Sequence, residues 1–263
     1  MDFLILTTIG LMMGLFGGLL GIGGSIIMIP ALVFAFGENQ HLYQGAAMIC
    51  NCFVGASAAF VHRKADVLVW DVVKWLVPSA IFGVLVGVWF SNIDFFAGEN
   101  SRKLAILFGL FLVYILIQQI IKLAKPKSKT DDFDISNIDK SPAWSSLTGI
   151  LAGLYGGLLG MGGGVVCTPM QQSFLKMPLK RAISNSSAVT ASMAFVGAIY
   201  KNLTLPRHNI SPIDSIKIAA VVIITAIIGS MLGARLMYIL PKKLVRIIFI
   251  AILIIAAYRM LTV

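Results

Sequence analysis

Residues 14–30 read GLFGGLLGIGGSIIMIP, and residues 153–169 read GLYGGLLGMGGGVVCTP. With Gly14 laid on Gly153, the stretches agree at ten of 17 positions, and most of the others are conservative swaps. A duplicated apolar segment broken by glycines means two related halves, each opening on an interrupted helix. Further along, Ile49-Cys50-Asn51-Cys52 faces Ile183-Ser184-Asn185-Ser186, and Gly83-x-x-x-Gly87 faces Gly229-x-x-x-Gly233. Arg102-Lys103-Leu104 likewise faces Lys242-Lys243-Leu244. Three lysines (Lys125, Lys127, Lys129) and four aspartates (Asp131, Asp132, Asp134, Asp139) mark a solvated linker between the halves. The expected organisation is a first repeat over 1–124, a charged linker over 125–142 and a second repeat over 143–263.

Composition says where such a chain lives. Of 263 residues, 58% are hydrophobic and 12% charged, about half the charge of a soluble domain. Mean hydropathy is +0.92. A surface with so few charges cannot face water all round. Each half divides into five apolar segments, roughly 3–20, 23–36, 42–61, 67–91 and 103–122, then 144–160, 163–175, 181–200, 213–238 and 243–262. The fold class is therefore an all-α polytopic membrane protein, and its first segment reads as a retained helix because no basic residue precedes Arg63. The first two segments of each half are shorter than the roughly 20 residues that span a bilayer. They either cross or form a re-entrant pair, and the pattern leaves both open.

The basic residues give orientation. With five segments per half, the second half is inverted relative to the first. The loops at 62–66, 176–181 and 242–246 then share the linker's side, which collects 15 of the 21 Lys and Arg. By the positive-inside rule that side is cytoplasmic and both termini are outside. The net charge of +10 then points to anionic lipids at the cytoplasmic face and not to nucleic acid. The three cysteines (Cys50, Cys52, Cys167) form no disulfide framework and no metal motif.

The inner glycines carry the most chemistry. Gly21, Gly23, Gly24 and Ser25 interrupt the first half, and Gly160, Gly162, Gly163 and Gly164 interrupt the second. Non-helical backbone at membrane depth is tolerated only where it is buried in protein or lines a cavity. A helix restarting there leaves N–H groups unpaired at its positive end, an anion site by construction. Pro30 and Pro169 are expected to kink or close the restarted helices. The outer Gly10/Gly14/Gly18 and Gly149/Gly153/Gly157 ridges read instead as close helix packing. Asn51, with Asn185, Ser186 and Ser187 in the other half, can donate to an oxyanion without adding charge, or can act as interhelical glue. No Asp or Glu stands in the middle of an apolar segment, Asp71 and Asp214 lying near segment ends, which disfavours a cation pump. His41, His62 and His208 read as interfacial loop residues. A catalytic thiol would need a base that the sequence does not offer, so no enzyme, cofactor or metal is expected.

The paired motif G-G-L-L-G-[IM]-G-G-[SG]-x-x-x-x-P at Gly17–Pro30 and Gly156–Pro169 resembles the TauE/SafE family of sulfite exporters. The stretch Lys180-Arg181-Ala182-Ile183-Ser184-Asn185-Ser186 is similar to that family's second conserved patch. The resemblance spans nearly the whole chain and implies a secondary transporter, an exporter of sulfite or a small organosulfonate across a bacterial inner membrane. It implicates Gly21, Gly23, Gly24, Gly160, Gly162 and Gly163. The first half departs from the second patch, reading Ala47-Met48-Ile49-Cys50-Asn51-Cys52. The expected partner is a small sulfur-containing anion held near the midplane; a homodimer is compatible with this, and a passive anion channel or a permease for another small anion is the alternative.

Overall fold

A computed structural model describes residues 3–93, 101–124 and 138–262; most of the charged linker, residues 125–137, lies outside them. The described residues form helices and contain no strand. In the first half these are α1 (Phe3–Leu20), α2 (Ser25–Phe36), α3 (Gln40–Lys64), α4 (Trp70–Ser91) and α5 (Ser101–Ala124). The second half holds α6 (Pro142–Leu159), α7 (Gly164–Phe174), α8 (Leu179–Thr204), α9 (Pro212–Ile239) and α10 (Lys242–Leu261), with a 3-10 turn at Leu205–His208. Six helices among the described residues, namely α1, α3, α4, α5, α8 and α9, are long and apolar enough to cross a membrane. The side chains of Lys242, Lys243 and Arg246 lie outside the description.

Local chemistry sets the boundaries. Asn39 accepts from the Leu42 N–H and opens α3, and Ser211 accepts from Ile213 ahead of Pro212 to open α9. Gly37, at φ +84°, ends α2. Pro30 and Pro169 do not close α2 and α7 but lie inside them.

The outer glycines are packing residues. A Cβ on Gly10, Gly14 or Gly18 would strike Val222, Ala226 or Ser230 of α9, and Gly229 and Gly233 meet Leu11 and Leu15 of α1 in return. Both series rise together, so α1 and α9 run parallel in backbone contact. The same relation joins α6 to α4, where Gly149, Gly153 and Gly157 meet Leu76, Ala80 and Val84. The first helix of each half thus packs along the fourth helix of the other, and the halves interlock.

Contacts at the helix ends fix direction. Where α3 ends and α8 begins, Arg181 donates to the Val67 carbonyl at 3.3 Å, and the Val69 N–H donates to Asn185 at 2.9 Å. The ion pair Lys140–Asp71 (2.7 Å) brings the starts of α6 and α4 to this same end, called the linker end below. At the far end, where α3 begins and α8 finishes, Lys201 meets His41 at 2.9 Å. α3 and α8 are therefore antiparallel.

The short helices turn back. Gly24 backs onto the Met13 carbonyl, and Arg259 reaches the Val33 carbonyl (3.4 Å) at the far end, where α1 also starts. Gly163 backs onto the Ala152 carbonyl, and Leu175 accepts from Asp139 (3.0 Å) just before α6. At 12 and 11 residues, α2 and α7 are about 18 and 16 Å long. Each half therefore opens with a hairpin that leaves and returns at one end of the bundle, α1–α2 from the far end and α6–α7 from the linker end.

Candidate functional site

The two hairpin tips meet beside the middle of α3 and α8. A Cβ built on Gly23 would stand 3.0 Å from Gly162 Cα and 2.9 Å from Asn51 Oδ1. The tips also pass one another: Gly21 lies against the Ile183 carbonyl of α8, Gly160 against Gln44 of α3, and Gly164 against the Gly21 carbonyl. Gly21, Gly23, Gly24, Gly160 and Gly163 all hold φ between +66° and +91°. Only glycine adopts this region at little cost, and here a side chain would also collide.

Asn51 ties the tips together. Fully buried, it donates through Nδ2 to Ser25 Oγ at 3.1 Å and to the Gly160 carbonyl at 3.4 Å, and its Oδ1 has no partner among the described residues. In the other half Thr190 donates to the Gly162 carbonyl. The N-caps of α2 and α7 are Gly24 and Gly163, and neither helix has a side-chain cap. Both helices point their N-termini, the positive ends of their dipoles, into the crossing. The arrangement offers backbone N–H groups and neutral amide or hydroxyl groups, with no ionised side chain among its described members.

The expected pairing of Asn51 with Asn185 is not what the fold produces. The register that lays Gly14 on Gly153 also lays the start of α2 (Ser25) on that of α7 (Gly164), and the start of α3 (Gln40) on that of α8 (Leu179). In this register the counterpart of Asn51 is Thr190. Asn185 lies more than a turn nearer the linker end. There its Oδ1 accepts from Val69, and its Nδ2 donates to Gln171 Oε1 (3.1 Å) and Met177 Sδ (3.2 Å). Ser186 accepts from Thr168 (2.9 Å) and Gln171 (3.0 Å), and Ser187 bonds back to Ile183 within its helix. The structure therefore gathers Gly21, Gly23, Gly24, Ser25, Asn51, Gly160, Gly162, Gly163 and Gly164, and sets Asn185, Ser186 and Ser187 to one side.

A cleft of about 100 Å³ leads to the crossing from the linker end. Gln118 and Gln119 of α5, Thr168 and Gln172 of α7 and Lys180 of α8 line it, and it reaches Ile22 and Gly164 at the tips. The positions equivalent to Thr168 and Gln172 in the first half are Ile29 and Val33. Both are buried, α10 lying against α2.

The histidines need correcting. His41 and His62 are not loop residues: they sit in the first and last turns of α3 and are buried. His41 Nδ1 lies 2.9 Å from Lys201 Nζ, and His62 Nδ1 lies 2.9 Å from the Tyr238 hydroxyl. Gln171 and Lys201 escaped the sequence reading, whereas Gln44 and Thr190 stand in the sequence among the neutral polar residues around Asn51 and Asn185. For Thr190 the signal was present, since the glycine register carried into α3 lands on it.

Buried glycine breaks between spanning helices define the class, a polytopic membrane protein built like a transporter. The chain matches the family described as "Sulfite exporter TauE/SafE" over residues 6–260 and belongs to that family. It is 28% identical to the "Probable membrane transporter protein MamO" of Magnetospirillum gryphiswaldense, over 99% of this chain and 45% of that protein. It is 27% identical to the "Probable membrane transporter protein MJ0441" of Methanocaldococcus jannaschii, over 95% of this chain and 91% of that one. The chain thus spans about half the length of the first relative and nearly all of the second. No solved structure matches it.

Proposed function

We propose that the protein is a secondary transporter that exports sulfite or a similarly small sulfur oxyanion, bound at the hairpin crossing. The observation that carries this reading is the convergence of the α2 and α7 N-termini on Gly23 and Gly162 beside Asn51. Aligned peptide dipoles favour an anion, and neutral donors let it leave again. Backbone broken at matching places in two repeats is the usual form of a transporter site.

The two repeats are read as inverted, which the antiparallel course of α3 and α8 supports. Matched halves of opposite sense can rock to present one central site to either face in turn. The buried crossing favours such a carrier over an open channel. With the linker cytoplasmic and the termini outside, in a bacterial inner membrane, an inside-negative potential drives the anion outward. Each unit charge gains about 2.3 kcal/mol per 100 mV, so export needs no coupled ion. Lys64 and Arg235 flank a groove between α3 and α9 at the linker end, where anionic lipid headgroups of the cytoplasmic leaflet would bind.

The test is thermal stabilisation of the purified protein by sulfite, thiosulfate, sulfoacetate, taurine, sulfate and chloride, followed by proteoliposome flux. Stabilisation and saturable flux confined to one or two sulfur anions are expected. Flux that does not saturate, with single-channel currents, would make it a channel. Absence of both binding and flux would overturn the reading.

A further inference from the structure

We propose that two lysine–histidine sets form a matched pair of anion stations, one at each mouth of the pathway: Lys201 with His41 at the far end and Lys180 with His62 at the linker end. The proposal rests on the transport reading above and adds to it the residues that receive and release the anion.

At the far end Lys201 lies in the last turn of α8, fully buried. Its Nζ is 2.9 Å from Ser91 Oγ and 2.9 Å from His41 Nδ1. The His41 ring stacks on His208 with centroids 3.7 Å apart, and His208 Nε2 lies 2.9 Å from Asn92 Oδ1. Three basic side chains from α3, α8 and the 3-10 turn thus converge within the protein. Among the described residues no carboxylate pairs with Lys201; the acids that form ion pairs among them are Asp71 and Asp214. A buried ammonium is costly unless a counter-charge comes to it. An anion in transit would be that counter-charge.

The repeat supplies the independent observation. In the register that lays Gly14 on Gly153, His62 falls on Lys201 and His41 falls on Lys180. The same register relates the hairpins, and Asn51 to Thr190. Each half therefore carries one member of each set with the residue types exchanged: histidine then lysine on α3 and α8 at the far end, lysine then histidine on α8 and α3 at the linker end. At the linker end Tyr238 bridges them, its hydroxyl 2.9 Å from His62 Nδ1 and its ring 5.7 Å from Lys180 Nζ. Lys180 also lines the open cleft. A lysine–histidine set placed at both mouths of one anion path by the same operation, with the types exchanged, is a functional pattern. Packing alone would not require a charge at both places. The far station is closed, its lysine held by Ser91 and His41. The linker station opens onto the cleft.

The test is radiolabelled thiosulfate and sulfite flux in membrane vesicles of both orientations. Lys201→Met should raise KM for anion offered at the far face by about tenfold, roughly the worth of one charge-assisted hydrogen bond. It should leave KM at the linker face within about twofold, a change too small to represent such a bond. Lys180→Met should do the reverse, and Lys201→Arg should restore most of the loss. Thermal unfolding and gel filtration separate these effects from misfolding. If Lys201→Met does not fold, Lys180→Met, at a half-buried position, and Ser91→Ala carry the same sided comparison. Unchanged KM at both faces, or equal changes at both, overturns the proposal while the transport reading stands. A wild type that moves neither anion overturns the transport reading, and the stations with it.

Discussion

The backbones of Gly23 and Gly162 touch: Gly162 Cα lies 3.0 Å from the place a Cβ on Gly23 would occupy, and the reverse distance is 2.9 Å. The two hairpins arrive from opposite ends of the bundle and meet where neither has a side chain. Gly23 also holds φ +87°, whereas Gly162 is not in the left-handed region. Gly37 has a similar φ, +84°, but open space around it. Gly37→Ala should therefore cost about 1–2 kcal/mol of backbone strain and leave flux intact. Gly23→Ala and Gly162→Ala push the tips apart and should reduce flux by more than about tenfold, a loss exceeding about 1.4 kcal/mol. Comparing flux with melting temperature across the three variants decides the matter. Gly23→Ala behaving like Gly37→Ala would falsify the crossing as the site.

Much of this architecture is legible in the glycines, because a missing Cβ leaves a mark in sequence wherever backbone meets backbone. The outer ridges Gly10/Gly14/Gly18 and Gly149/Gly153/Gly157 announce close packing, and the inner clusters announce breaks. What they cannot announce is direction. Hydropathy is the same for a chain that crosses and a chain that returns, so the hairpins emerge only from contacts such as Gly24 with Met13 and Leu175 with Asp139. Asn51 and Asn185 look like partners because their neighbourhoods are similar. Yet the glycine register is a geometric constraint on the intervening helix, and it selects Thr190. Lys201 and His41 stand near helix ends, where a charge ordinarily reaches water, and nothing local in the sequence shows that the 3-10 turn at Leu205–His208 covers them.

Asn51→Asp is a nearly isosteric test of the electrostatics. A carboxylate at this place sits against the uncapped starts of α2 and α7 and takes the position proposed for the anion. The carboxylate cannot donate to the Gly160 carbonyl as the amide does, so the variant should melt below wild type, and it should lose the stabilisation that sulfur anions give. Asn51→Leu removes the bonds to Ser25 and Gly160 and should lose both stability and binding. Retained anion-induced stabilisation in Asn51→Asp would place the ligand elsewhere.

The cleft predicts unequal access to equivalent residues. Gln172 lines the open side, and Val33, its counterpart in the first half, is 1% exposed beneath α10. In a background lacking Cys50, Cys52 and Cys167, Gln172→Cys should react quickly with a membrane-impermeant maleimide offered at the linker face. Val33→Cys should stay largely unmodified by the same reagent offered at the far face, and substrate should slow the labelling of Gln172→Cys. The cysteine-free background should itself transport normally, because Cys50 and Cys167 are buried and Gln171 bonds Cys167 within α7. Equal labelling of the two positions would mean that the resting protein is not open to one side alone.

Asn185 separates stability from function. Both ends of its amide are occupied, by Val69 on one side and by Gln171 and Met177 on the other. These bonds pin the loop between α3 and α4 to α7 and α8. Asn185→Ala leaves the Val69 N–H without a partner, which costs about 1–3 kcal/mol when the group is buried. The expected result is a lower melting temperature with KM for the transported anion unchanged. Thr190→Val, which removes only the bond to the Gly162 carbonyl, should do the opposite and weaken anion binding more than it weakens the fold. Flux titrations and thermal unfolding on the same preparations distinguish the two. A raised KM in Asn185→Ala at undiminished stability would return Asn185 to the binding site and move the anion's path one turn toward the linker end.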